Sequence, residues 1–145
     1  MSDHVYNLST RVTRPMFIGV KILNNDEFEV TSPPDWWPDA PEKHLSPYTL
    51  LLAASASCFS LSIFQAAGSF HTTFSNIEVE STGLMSENDE GIWSFEKIEL
   101  KVKVTIDDEA EKAKIERAIE MAHKTCPVAN TLKCPTLLDY EIIVA

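Results

Sequence analysis

The chain has 145 residues, with 12 Lys and Arg against 22 Asp and Glu, for a formal net charge of -10. That length suits one domain with a single core, and the acidic balance argues against nucleic acid or an anionic membrane surface as partner, since both need clustered Lys and Arg. With 44% hydrophobic and 23% charged residues, neither a disordered chain nor a fibrous repeat is indicated.

The opening "MSDHVYNLSTR" has no basic start followed by an apolar stretch, so a secretory signal is not expected and the cytoplasm is the expected location. "HVYNLSTRV" and "FIGVKIL" read as strands, and "NND" at 24–26 as a turn into a third strand, "FEVTS". Residues 32–47 then hold five prolines and the pair Trp36 and Trp37, which excludes regular structure there.

Ser46 before Pro47 is a helix start: the serine caps, and the missing N–H of proline costs nothing in the first turn. The helix is expected to run to about Ala67, with Gly68 as its stop. The stretch 47–67 is uncharged and long enough to cross a bilayer. Ser55, Ser57, Ser60, Ser62 and Gln65 dilute its hydrophobicity, and such a helix is equally at home buried in the centre of a globular core.

Period-two patterns cover 74–80 and 93–106, clearest where Ile98, Leu100, Val102, Val104 and Ile106 alternate with polar residues, and "SENDEG" joins the two as a hairpin. "DDEAEKAKIERAIEMAHK" is a second helix with acids in its first turn and a stripe of Ile115, Ala118, Ile119 and Ala122. Cys126 and Pro127 close it, a short helix is expected to start at Pro127, and "LLDYEIIV" supplies a last strand. The order gives an α+β fold with an antiparallel sheet around a buried central helix. One small sheet covers such a helix poorly, so exchange of surfaces between two chains is expected.

Three cysteines, at 58, 126 and 134, are too few and too irregular for a secreted disulfide scaffold. Cys58 sits mid-helix among small, partly polar neighbours, where a packing role and a reactive one are both open. Cys126 precedes a helix start whose free N–H groups would favour its thiolate, although it also simply ends the preceding helix. Cys134, in "LKCPTLL", reads as a packing thiol. The four histidines lack the paired ligand spacing of a structural metal site, and with four glycines no phosphate-cradling loop can be built, so neither metal nor cofactor is expected.

"SPYTLLLAASASCFS" and "HKTCPVANTL", separated by a long hairpin and a helix, together resemble the superfamily of osmotically inducible protein C and organic hydroperoxide resistance proteins. The resemblance covers most of the chain, taken as a single domain 1–145, and leans toward the OsmC-like branch. It implies an intertwined homodimer and a thiol-dependent peroxidase acting on organic hydroperoxides. Carried over, Cys58 is the attacking cysteine, oxidised to a sulfenic acid, and Cys126 the resolving cysteine, with a dithiol such as a lipoylated protein as reductant.

A mid-helix thiolate needs a nearby cation. The family takes an arginine from its N-terminal strands, which points to Arg14 in "TRPM" ahead of Arg11. Where the hydroperoxide-resistance branch has a glutamate ten residues before the first cysteine, this chain has Tyr48, and Glu42 is the nearby carboxylate available in its place. Ten helical residues span about 15 Å, so Tyr48 would act on Cys58 only across a dimer. Trp36, Trp37, Tyr48 and Phe59 are candidates to line an apolar substrate pocket, although core packing is the commoner fate of large aromatics. The other class of function is a non-catalytic or redox-sensing dimeric binding protein that keeps the fold and its apolar pocket.

Overall fold

The computed structural model describes residues 3–22 and 26–145, which form two compact units, Met1–Leu51 and Leu52–Ala145. The N-terminal unit holds an antiparallel sheet in the order β1 (Ser9–Arg14), β2 (Phe17–Lys21), β3 (Phe28–Thr31). β1 is shorter than the expected strand from His4: it pairs with β2 from Ser9 opposite Lys21, and Val5 and Tyr6 are exposed with no partner strand among the described residues. The expected turn at 24–26 falls largely outside the described residues. Residues 32–44 form turns rather than helix or strand, as their prolines dictate.

The first helix, α1 (Pro47–Ser69), begins as expected: the Ser46 hydroxyl accepts from the Thr49 N–H at 3.2 Å, with Pro47 in the first turn. It does not stop at Gly68. The chain leaves the helix at His71, which takes the left-handed φ of 55° while Thr72 N–H donates to Ala67 O and His71 N–H to Gly68 O. Those two bonds satisfy the last free carbonyls in the usual left-handed helix ending, with histidine where glycine is commoner.

In the C-terminal unit, β4 (Asn76–Glu87) and β5 (Trp93–Ile106) make the long hairpin, and β6 (Thr136–Val144) adds to the far side of β5. β4 runs seven residues past the expected Glu80, because Ser81 to Glu87 find partners along β5 although their own alternation is weak. Gly83 is required by packing: a Cβ there would collide with the Phe95 ring and press on Leu52 of α1. The hairpin turn is organised by Asn88, whose side-chain oxygen accepts from the N–H groups of Glu90 and Ile92.

One expectation needs correcting: β6 lies parallel to β5, from Thr136 opposite Ile98 to Val144 opposite Ile106. The reason is the crossover between them, a 3-10 turn (Glu109–Glu111), α2 (Lys112–Thr125) and α3 (Pro127–Thr131), which returns the chain to the end where β5 began. The sheet is therefore mixed. Its inner face carries Ile98, Leu100, Val102, Val104 and Ile106, all 2% exposed or less, packed with Phe59 and Ile63 of α1 and Ile115, Ile119 and Ala122 of α2. Its outer face is laid out in rows of acid, lysine and acid, Glu78–Lys103–Glu141 and Glu80–Lys101–Asp139, an alternation that leaves only the inner face to bury.

Candidate active site

The C-terminal unit brings Cys58 and Cys126 together, although 68 positions separate them in the sequence. Cys58 is half-buried on α1, and Cys126 is buried in the core at the junction of α2 and α3. Both are free thiols. Beside them lies an open depression of about 450 Å³, between Ala54, Ser57, Cys58, Leu61, Ser62 and Gln65 of α1 and Pro127 and Val128 of α3. Cys58 is its only thiol. A depression of similar size on the outer sheet face, bordered by Glu78, Glu80, Lys101 and Asp139, has no cysteine in its lining.

α3 starts at Pro127 as the sequence predicts, and the N–H groups of Val128 and Ala129 draw the Cys126 thiol toward ionisation. They do not win. Burial is the largest influence and raises the pKa of Cys126 above the ordinary thiol range, and the neighbouring Cys58, through a side-chain hydrogen bond and its charge, raises it further. The expected thiolate-favouring environment is thus outweighed, because a five-residue helix contributes less than the removal of water. Cys126 stays protonated where an ordinary thiol begins to ionise.

Cys134 is half-buried against the same core cluster, in keeping with a packing thiol. His123, one turn before Cys126, has its Nε2 within 2.7 Å of the Thr136 carbonyl oxygen, which ties the end of α2 to the start of β6. Phe59 is 1% exposed and belongs to the core, because it faces the sheet while Cys58 is turned about 100° away around the helix.

The remaining candidates lie in the N-terminal unit. Arg14 stacks its guanidinium 3.7 Å above the Phe17 ring and donates to Glu29 from Nε at 3.4 Å and Nη2 at 3.3 Å. Glu29 also accepts from the Thr13 hydroxyl at 2.7 Å, and that bond, then Arg14, holds its carboxyl below the usual glutamate range. Arg11 is clamped by both oxygens of Glu27, at 2.8 and 2.9 Å. Gly19 permits this, since a Cβ there would fall 2.6 Å from the Glu27 carboxyl carbon.

The carboxylate that orients Arg14 is therefore Glu29, and Glu42, the candidate from sequence, is exposed. The alternation of "EFEV" puts Glu27, just before β3, on the same side as Glu29 within it, the one signal in the sequence that could have marked them. Trp37 packs edge-on against the Phe17 ring at 5.9 Å, with the His44 ring at 5.3 Å, and Trp36 lies 6.0 Å from the ring of Tyr48.

A sheet backed by helices that press a half-exposed thiol against a buried one defines an α+β protein built around a pair of cysteines. Residues 40–141 match the model of the OsmC family, OsmC-like protein, and the chain belongs to that family. It is 30% identical over 101 residues to the peroxiredoxin OsmC of Escherichia coli K12, across 70% of this chain and 69% of that one. Among solved structures, the OsmC-like protein of unknown function from Vibrio cholerae has the same fold, with a TM-score of 0.84 at 17% identity over 97% of this chain and 100% of that one. The organic hydroperoxide resistance protein of Elizabethkingia anophelis matches with a TM-score of 0.73 at 20% identity, over 99% and 100% of the two chains.

Proposed function

We propose that the protein is a cysteine-based peroxidase that reduces organic hydroperoxides. The observation that carries this reading is the placement of Cys58 at an open depression with its thiol against that of buried Cys126. The names of the relatives, peroxiredoxin and organic hydroperoxide resistance protein, point the same way. The Cys58 thiolate attacks the peroxide oxygen; the O–O bond breaks, the alcohol leaves after taking a proton, and Cys58 becomes a sulfenic acid. Cys126 then attacks that sulfur, water departs, and a Cys58–Cys126 disulfide remains for a dithiol such as a lipoylated protein to reduce.

Arg14 is assigned the role of the cation that favours the Cys58 thiolate on the family resemblance, with Glu29 orienting it. Trp36, Trp37 and Tyr48, as large aromatic side chains, are assigned to the apolar lining of the substrate site. The working form is a homodimer of a single OsmC-like domain, 1–145, in the cytoplasm, bound to neither membrane nor nucleic acid. Support for the dimer comes from α1, which carries no charge yet leaves Leu61 68% and Phe64 59% exposed.

The test is consumption of cumene hydroperoxide with dihydrolipoamide as reductant. The wild-type protein turns over and Cys58→Ser does not, and the apolar lining makes cumene hydroperoxide a better substrate than hydrogen peroxide. Undiminished turnover by Cys58→Ser, or none by the wild-type protein, ends the reading; the second result leaves a binding or redox-sensing role.

A further inference from the structure

Ser55 is completely buried, and its hydroxyl has no hydrogen-bond partner. An isolated buried hydroxyl is costly, and in a helix serine ordinarily relieves it by bonding the carbonyl one turn back. Its neighbours do so: Ser57 donates to Ala53 O at 2.7 Å, Ser60 to Ala56 O at 3.0 Å and Ser62 to Cys58 O at 2.8 Å. Ser55 alone on α1 keeps a free, buried donor. It stands one turn before Cys58 and about 60° round the helix from it, between the direction of Cys58 and that of the sheet-facing Phe59. Residues so spaced have Cβ atoms about 5–6 Å apart.

We propose that the Ser55 hydroxyl is the hydrogen-bond donor for the oxygen that Cys58 gains on oxidation. The inference rests on the peroxidase reading above. In the reduced protein this hydroxyl makes no hydrogen bond to the thiol; an oxygen added to the Cys58 sulfur stands one bond farther out, within one helical turn of Ser55, and a donor with no other partner turns to it. Donation disperses charge on that oxygen as Cys126 attacks the sulfur and the S–O bond breaks, so that it leaves as water with the proton from Cys126. It also makes the Cys58 sulfenate a poorer nucleophile toward a second peroxide, which would otherwise carry it to the sulfinic acid. Ser55 thereby favours the disulfide over irreversible oxidation.

The test is a single turnover without reductant. One equivalent of cumene hydroperoxide is added to reduced protein, and disulfide, dimedone-trapped sulfenic acid and sulfinic acid at Cys58 are followed by mass spectrometry. Ser55→Ala should close the disulfide about fivefold more slowly, the scale of one hydrogen bond, with a matching rise in sulfinic acid. Its melting midpoint should be unchanged or higher, since an unpaired buried group has been removed. Ser60→Ala, whose hydroxyl is already occupied, should match the wild-type protein, and Ser55→Gly repeats the experiment should the alanine variant be recovered unfolded. Closure and sulfinic acid equal to wild type in the Ser55 variants overturn the assignment while leaving the peroxidase reading intact. Absence of sulfenic acid and disulfide in the wild-type protein overturns both.

Discussion

The two long helices solve the same problem in opposite ways. α2 buries one stripe, Ile115, Ala118, Ile119 and Ala122, each with no exposed surface, and gives the rest of its circumference largely to charged residues. α1 is longer, carries no charge, and buries only Ser55, Phe59, Ile63, Ala66 and Ala67 of its 23 residues. The needs of α2 are met inside the chain. Those of α1 are met on one side only, and its uncovered side is where Cys58 opens to the depression. A helix can thus be apolar beyond what its own core demands, and the surplus marks where function or a second chain is to be sought.

The largest effect separating these faces is expected at the buried side of α1. Phe59→Ala should lower the unfolding free energy by about 3–5 kcal/mol, since it empties a ring from the centre of the core; a loss below about 1 kcal/mol in denaturant titration would mean that α1 packs less tightly than its burial indicates. Next comes the uncovered side. Leu61→Glu should shift the protein toward monomer in sedimentation at low micromolar concentration. Met121→Glu, also exposed but on α2, should leave both assembly and stability within about 0.5 kcal/mol of wild type. Equal behaviour of the two variants would erase the contrast between the helices.

A smaller effect distinguishes the two thiols. Because the pKa of Cys126 is raised in the folded protein, its contribution to stability is fully present below the ordinary thiol value of about 8.5 and is lost as pH rises through the folded value. Cys126→Ala should therefore flatten the alkaline fall of stability, measured as the difference from wild type so that Tyr140, also raised by burial, cancels. Cys58→Ala, which removes only a lesser influence on Cys126, should flatten it less. The smallest effect concerns the arginines. Arg11→Gln and Arg14→Gln remove comparable exposed ion pairs and should both melt close to wild type, whereas Arg14→Gln alone should slow peroxide consumption.

Much of this was legible in the sequence because it depends on local regularities. The alternation of Ile98 to Ile106 foretold a strand with one buried face, the stripe of α2 foretold the four positions it buries, and Ser46–Pro47 foretold the start of α1. Less legible were features whose cause lies elsewhere in the chain. Gly68 looked like a helix stop, but the two capping bonds formed around His71 instead. β4 outlasted its own alternation because β5 continued to offer partners.

By itself, then, the sequence determined which segments form helix and strand, which faces are apolar, and which family motifs surround Cys58 and Cys126, since these follow from side-chain period and cap chemistry within a few residues. The tertiary structure alone decided the parallel pairing of β6, the meeting of the two thiols, the carboxylate partners of Arg11 and Arg14, and the balance that raises the pKa of Cys126. Those outcomes turn on distance and on exclusion of water between residues far apart in the chain. No local pattern carries that information.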